Sequence, residues 1–345
     1  MIIITGGAGL IGSNLIEQLN QRGHTDILVV DHLKNGQKMH NLADLHIRDY
    51  LDRDDFMARV QAGQDLGPVK TVFHLGACSA TTEWDGQFMM RNNFEYSKTL
   101  LHWCQAINAQ YIYASSASVY GLGKNGFAEQ RAAELPINMY AFSKFQFDQY
   151  VRSLQGRLRH QVVGLRYFNV YGPREAHKGS MSSTPFHFNH QVLGDGGCHL
   201  FEGADGYADG EQQRDFVYVG DCAKVNLWFM EHAQHSGIFN LGTGHAQSFN
   251  DMARAVLAWH KQHRQVDARI NYIPFPAHLQ GAYQSYTQAD ISALRRAGYT
   301  DTFLDVSQGV EAYLNWLNRS LISLSFHDTE SNRQAVVTFC DFCSK

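Results

Sequence analysis

The sequence predicts an α/β fold: a doubly wound parallel sheet with helices on both faces, then a smaller mixed α/β lobe. Three observations predict it. Short β-branched apolar runs alternate with stretches of helical periodicity through the first half of the chain. A glycine-rich turn joins the first run to the first helical stretch. Beyond about residue 171 the alternation loosens, and Gly and His become frequent.

The elements follow in order. Met1 to Ile4 is a β-branched apolar run suited to a buried parallel strand. Leu10, Ile11, Leu15, Ile16 and Leu19 recur at helical spacing, with Gly23 as a helix-ending glycine. Ile27 to Val30 is a second strand, ending in Asp31. Strands are expected over 69–75, 111–114 and 161–169, with helices over about 83–107 and 138–154. Then come an irregular polar loop over 203–213, a strand near 216–219, a helix from Asp221, a strand over 238–241 and a helix after Ser248. A helix over 306–318, with Val310, Tyr313, Leu314 and Leu317 on one face, completes the fold. Residues 1–170, with returning segments near 215–245, are read as one domain and 171–319 as mainly the second lobe. Residues 320–345 have no clear periodicity and read as a disordered or non-native tail.

Composition narrows the function. The 345 residues can bury a large core without disulfides or metal. Apolar residues make up 44% and charged residues 18%, a globular rather than a disordered composition. The net charge of −4 offers no strong positive field to nucleic acid or anionic lipid. Eighteen His make that charge sensitive to mild acid. No uncharged apolar run approaches the roughly 20 residues of a membrane span. The start, Met1-Ile2-Ile3-Ile4-Thr5-Gly6, lacks a basic leader and a cleavage site, so no signal peptide is expected. Six scattered Cys read as reduced core thiols, and the chain is expected in the cytoplasm. Cys340-x-x-Cys343 is a single pair and cannot fill a tetrahedral zinc site, so no metal is expected.

Gly6-x-x-Gly9-x-x-Gly12 lies between strand and helix. Glycine there permits a tight turn, approach of a pyrophosphate to the backbone, and close helix–sheet packing. The free N–H groups of the helix start would face the phosphates. Asp31 stands 19 positions after Gly12, where a carboxylate can bond a ribose hydroxyl. These features make the first half a Rossmann-type dinucleotide-binding unit. Asp31 alone favours NAD, whereas Lys34, Lys38 and Arg53 downstream could hold the 2′-phosphate of NADP.

Tyr140-x-x-x-Lys144 places a phenol and an ammonium one helical turn apart. The cation, with an oxidised nicotinamide, is expected to lower the phenol's pKa so that it can take a hydroxyl proton. Ser115-Ser116-Ala117-Ser118 ends the preceding strand and offers a hydroxyl to the same oxygen.

With these motifs the chain resembles the extended short-chain dehydrogenase/reductase superfamily. More narrowly it is similar to the ADP-L-glycero-D-manno-heptose 6-epimerase family, in colinear motifs from Met1 to about Arg319. The segments that carry the narrower likeness are Phe73 to Ser79 with Thr81-Thr82-Glu83-Trp84-Asp85-Gly86, Arg166 to Glu175, His177-Lys178-Gly179-Ser180-Met181, and Gln213 to Val219. The resemblance implies Tyr140 as acid/base, Lys144 as cofactor-holding lysine, Ser116 as hydroxyl partner and Lys178 as a second acid/base. It implies NADP, with NAD the weaker alternative. It places Leu10, Ile11, His32, Lys38, Arg53, Leu75, Gly76, Ala77, Cys78, Ser79, Asn92 and Val170 at the cofactor, beside Lys144 and Lys178. It implies a substrate site of Asn169, Ser180, His187, Phe201, Glu202, Gly203, Ala204, Arg214 and Tyr283. Arg214 suits a diphosphate because its fork binds two oxygens.

The implied activity is inversion at C6″ of an ADP-heptose for the lipopolysaccharide inner core, by a cytoplasmic homopentamer. Four departures from the family pattern stand out: His32 for Asn, Arg53 for Lys, a longer loop over 206–213, and Ala282 for Arg. The alternatives are a nucleotide-sugar 4-epimerase and a 4,6-dehydratase. A dehydratase needs a carboxyl pair where this chain has Ala117-Ser118. A third is a non-catalytic NADP-binding protein on the same fold, against which Tyr140 and Lys144 both stand.

Overall fold

The computed structural model describes residues 1–276 and 283–319. Ala282 and the 320–345 tail, with Cys340 and Cys343, lie outside the described residues. In chain order the first half runs β1 (Ile2–Thr5), α1 (Leu10–Gln21), β2 (Ile27–Asp31), β3 (Asp49–Asp52), α2 (Arg53–Gln61), β4 (Thr71–His74), α3 (Gly86–Met89), a π-helical turn (Met90–Glu95), α4 (Tyr96–Ala106), β5 (Gln110–Ser116), α5 (Met139–Ser153) and β6 (Val162–Tyr167). The second half runs β7 (Asn169–Tyr171), α6 (Thr184–Gly194), β8 (Gly197–Phe201), β9 (Gln213–Arg214), β10 (Phe216–Tyr218), α7 (Val219–Glu231), β11 (Gly237–Leu241), β12 (Gln247–Ser248), α8 (Phe249–Arg264), β13 (Arg269–Ile273), α9 (Ser292–Ala297) and α10 (Val306–Leu317).

Seven strands form one parallel sheet in the order β11-β6-β5-β4-β1-β2-β3. β1, β2, β4 and β6 are buried along their whole length. They need covering on both faces, and two hydrophobic clusters supply it. Leu15, Ile16 and Leu19 of α1 pack with Val225, Leu227 and Phe229 of α7 on one side. Leu100, Leu101 and Cys104 of α4 pack with Phe147 and Val151 of α5 on the other. A third cluster, around Phe188, Leu200, Val256, Trp259 and Val310, is the core of the second half.

Local chemistry sets the element ends. Asn138 caps α5, its Oδ1 accepting from Ala141 N at 2.8 Å, which places Tyr140 in the first turn. Ser248 with Asp251, and Asp305 with Gln308, form reciprocal capping boxes on α8 and α10. Gly23 has φ +82° just past α1.

The structure corrects several sequence expectations. The helix expected from residue 83 begins at Gly86, because Asp85 caps it through Phe88 N at 2.9 Å. The strand expected over 161–169 divides: Phe168 N bonds Leu241 O, whereas Asn169 N bonds Asp215 O, and β7 leaves the main sheet to pair with β10. Arg53 follows a strand and opens α2. Elements β3, α2, α6, β8, β9, β12, β13 and α9 went unforeseen. Cys104, Cys198 and Cys222 are buried free thiols and Cys78 is half-buried. Among the described residues no helix is long and apolar enough to cross a membrane. Nor, among them, does any group of three or more His, Cys, Asp or Glu suit a metal ion.

Candidate active site

The C-terminal ends of β1, β2, β4, β5 and β6 open into one cavity of about 560 Å³. This is where ligands bind in open parallel sheets. The glycine loop forms its floor. A Cβ on Gly6 would lie 2.6 Å from Gly76 N, and one on Gly12 would lie 2.3 Å from Gly6 O. Both glycines are required by backbone crossings. Gly9, the N-cap of α1, contributes no side-chain oxygen to the helix start. The first-turn N–H groups therefore remain available to an anion. This cradle fits a dinucleotide pyrophosphate, and Gly6, Gly9, Leu10, Ile11 and Gly12 all line the cavity.

A directed chain of hydrogen bonds holds the loop. Gly76 N donates to Thr5 Oγ1 at 3.2 Å, and Thr5 Oγ1 meets His74 Nδ1 at 2.7 Å. His74 Nε2 meets Ser97 Oγ at 2.8 Å, and Ser97 donates onward to Asn93 O. Burial, with Lys144 nearby, pushes the imidazole down to about 3, so it stays neutral.

At one end of the cavity lie Asp31, His32, Lys38, Arg53 and Asn92. Asp31 is buried and fully engaged. Its Oδ2 accepts from Ala8 N at 2.9 Å, and its Oδ1 from His32 N at 2.7 Å and from Lys38 Nζ. Lys38 is thus paired with the carboxylate that the sequence set against it. Arg53 donates to Asn92 Oδ1 at 2.6 Å and lies 3.3 Å from Asp54.

Ser116, Tyr140 and Lys144 line the cavity where β5 meets α5. Ser116 Oγ accepts from Ser118 Oγ at 2.9 Å. Burial pushes the Tyr140 phenol above its usual value, and the Ser116 hydroxyl partly offsets this. The lowering expected from Lys144 is not seen, because desolvation dominates among the protein's own groups. Lys144 Nζ donates to Ala114 O at 2.7 Å, and burial pushes it down to about 8. Asp148, one turn further along α5, opposes that fall. Asp148 accepts from Tyr113 OH at 2.9 Å, Ser115 Oγ at 2.8 Å and Arg166 Nε at 2.9 Å. It thereby ties α5 to β5 and β6 beneath the cavity.

Lys178 enters from the second half, on a 3-10 turn (Ala176–Met181), and also lines the cavity. Its Nζ lies 3.7 Å from Glu175 Oε2. Leu75, Gly76, Ala77, Ser79 and Val170 line the cavity too, whereas Cys78 does not. Cys78 is clamped through its backbone instead: its N donates to Asn93 Oδ1 at 2.9 Å and its O accepts from Asn93 Nδ2 at 3.0 Å.

The residues assigned to substrate lie outside this cavity lining. Asn169 is exposed, beside the lining residues Phe168 and Val170, and Ser180 is exposed beside Lys178. Arg214, Tyr283 and Phe201 form a group. The Arg214 guanidinium sits 4.9 Å above the Tyr283 ring, and Phe201 reaches Tyr283 at 6.5 Å. Arg214 is buried, burial lowers its pKa, and Nη1 donates to Gln213 O at 3.1 Å, but among the described residues no carboxylate pairs with it. A buried, unpaired guanidinium favours an anionic ligand. Glu202, Gly203 and Ala204 follow Phe201, with Gly203 N donating to Asp209 Oδ1 at 2.8 Å. His187 packs edge-on to Phe186 on α6.

Asn35, Tyr96 and Phe168 line the cavity without having been singled out. Asn93 also went unnoticed; its Nδ2 reaches Ser143 Oγ at 3.0 Å. No local pattern marks Asn93, because its importance comes from partners far along the chain.

A parallel sheet whose strand ends carry a dinucleotide cradle and a serine–tyrosine–lysine group defines a nucleotide-cofactor enzyme class. The chain belongs to the NAD dependent epimerase/dehydratase family, whose model matches residues 2–242. It is 58% identical over 315 residues to ADP-L-glycero-D-manno-heptose-6-epimerase of Alkalilimnicola ehrlichii, covering 91% of this chain and 97% of that protein. Among solved structures it is similar to ADP-L-glycero-D-manno-heptose-6-epimerase of Helicobacter pylori, with 31% identity and a TM-score of 0.78, over 92% of this chain and 96% of that one. It also resembles UDP-glucose 4-epimerase of Thermotoga maritima, with 25% identity and a TM-score of 0.75, over 93% and 99%.

Proposed function

We propose that this protein converts ADP-D-glycero-D-manno-heptose to ADP-L-glycero-D-manno-heptose by inverting C6″. One observation carries the reading beyond the family likeness. Tyr140, with Ser116 and Lys144, and Lys178 approach one cavity from two separate segments of the chain. Inversion must return a hydride to the opposite face of a transient ketone, so a proton donor is needed in each of two substrate orientations. A bound nicotinamide would accept the hydride and give it back. Tyr140 would move a proton at the substrate hydroxyl in one orientation, with Ser116 holding that oxygen. Lys178 would serve the other orientation. Arg214 would hold the diphosphate, beside the Tyr283 and Phe201 rings.

NADP is the proposed cofactor. Lys38 neutralises Asp31, which would otherwise repel a 2′-phosphate, and Arg53 supplies a second cation nearby. A homopentamer acting in the cytoplasm, in heptose supply for the lipopolysaccharide inner core, completes the proposal.

The test is direct. Purified protein incubated with ADP-D-glycero-D-manno-heptose should give inversion at C6″ by NMR, without added oxidant. No inversion overturns the proposal. Heat-denatured protein should release NADP, identified by mass; release of NAD instead would overturn the cofactor assignment.

A further inference from the structure

The turn that carries Lys178 is docked on a segment more than a hundred residues earlier. Arg174 grips Asp44 with both terminal nitrogens, at 2.6 and 2.9 Å, and donates to Asn41 O at 3.2 Å. Asn35 Nδ2 donates to His177 O at 3.2 Å. Asn41, itself buried, places Nδ2 3.0 Å from His177 Nδ1 and 2.9 Å from Ala8 O. Ala8 belongs to the glycine loop, and its N–H bonds Asp31.

These contacts fix the direction of each bond. The Ala8 carbonyl can only accept, so the Asn41 nitrogen faces it and must donate. The same nitrogen reaches His177 Nδ1, so Nδ1 accepts and the ring proton sits on Nε2. Such a ring is neutral. Burial, with Lys38 and Lys178 close by, pushes His177 down to about 4, against the opposing Asp31 carboxylate and the Arg174 backbone carbonyl, which accepts from the ring. Beyond Lys178 the backbone turns sharply at Gly179, with φ +56° and open space around it. Glu175 offers Lys178 a competing partner at 3.7 Å, and Glu175 is held by Ser183 N at 2.7 Å.

We propose that Asn41 and His177 are positioning residues for Lys178, which tie its place in the cavity to the glycine loop. This rests on the proposed role of Lys178 as second acid/base. With His177 held at both its ring and its carbonyl, the backbone of the next residue has one place to be. Without that hold, a long flexible side chain beside a glycine has many, and a displacement of about 1 Å can cost roughly 10²-fold in rate.

The experiment uses the full chain with its co-purified cofactor and ADP-D-glycero-D-manno-heptose. His177→Leu should lower kcat about 10- to 100-fold with cofactor content and KM nearly unchanged. His177→Gln, which keeps an acceptor for Asn41, should recover most of the loss. Asn41→Leu removes the donor that His177 Nδ1 and Ala8 O share, and should lower kcat about as far as His177→Leu does, with KM nearly unchanged. A merely structural role would lower the folded fraction rather than kcat, and His177→Gln would not restore it. Unchanged kcat in His177→Leu or in Asn41→Leu, or no recovery in His177→Gln, overturns the proposal. So does loss of cofactor in step with activity. Lys178→Ala in parallel separates the two readings. If it keeps full kcat, the role of Lys178 falls. If it loses activity while His177→Leu does not, the coupling falls.

Discussion

Tyr140 and Lys144 stand one turn apart on α5, and burial moves their protons in opposite senses. The phenol is pushed up, so it holds its proton, and the ammonium is pushed down to about 8, so it gives its proton up sooner. Lys144 is therefore charged below about pH 8 and neutral above it. If its charge supports catalysis, kcat should fall as pH rises through about 8, and Lys144→Arg should move that limb upward; a kcat profile from neutral to alkaline pH checks both. Tyr140→Phe keeps the ring and removes the proton. It should lower kcat about 10²- to 10⁴-fold while the cofactor stays bound, measured by turnover and by mass of released nucleotide.

At the scale of elements, the π-helical turn Met90–Glu95 gives two consecutive asparagines separate tasks. It aims Asn92 at Arg53 while Asn93 clamps both backbone groups of Cys78 and reaches Ser143 on α5. Removing that side chain leaves buried partners unpaired. Asn93→Ala should destabilise the fold by about 1–3 kcal/mol, read from the urea unfolding midpoint. None of this was visible in the sequence, which showed one long helix there. The β1–α1–β2 unit was legible because three local signals agree: a fully apolar strand, glycines at backbone crossings, and a helical apolar stripe. The Tyr140 and Lys144 pair was legible because four-residue spacing on a helix needs no distant partner. β7, β9 and β12 are two or three residues long, and pairing partners rather than residue pattern make them strands. α6 was missed although Pro185 stands at its start, because its apolar stripe is broken by His187, Asn189 and His190. The group of Arg214, Tyr283 and Phe201, proposed to hold substrate, was reachable only through family likeness, since no spacing links residues that far apart.

For the whole molecule, the abundance of histidine acquires a stability meaning. His74 is pushed down to about 3, and His177 and His260 to about 4, each chiefly by burial. Unfolded, these rings bind protons near pH 6.5, whereas the folded chain refuses them until about 3 to 4. The unfolded state thus binds more protons across that window, so stability must drop as pH falls from about 6.5 toward 4. Thermal melts at stepped pH should show it. His260→Gln, at a site remote from the cavity, should flatten the slope.

The seven-strand sheet carries one more consequence. Its edge strand β11 pairs with β6, yet the chain must supply β7 through α7 between the two. At synthesis rates of about 5–20 residues per second, β6 waits several seconds with its edge unpaired. An open edge on a strand otherwise buried along its whole length is a template for the wrong partner. The nascent chain is most vulnerable in that interval, and a fragment released at residue 170 would carry the same open edge permanently.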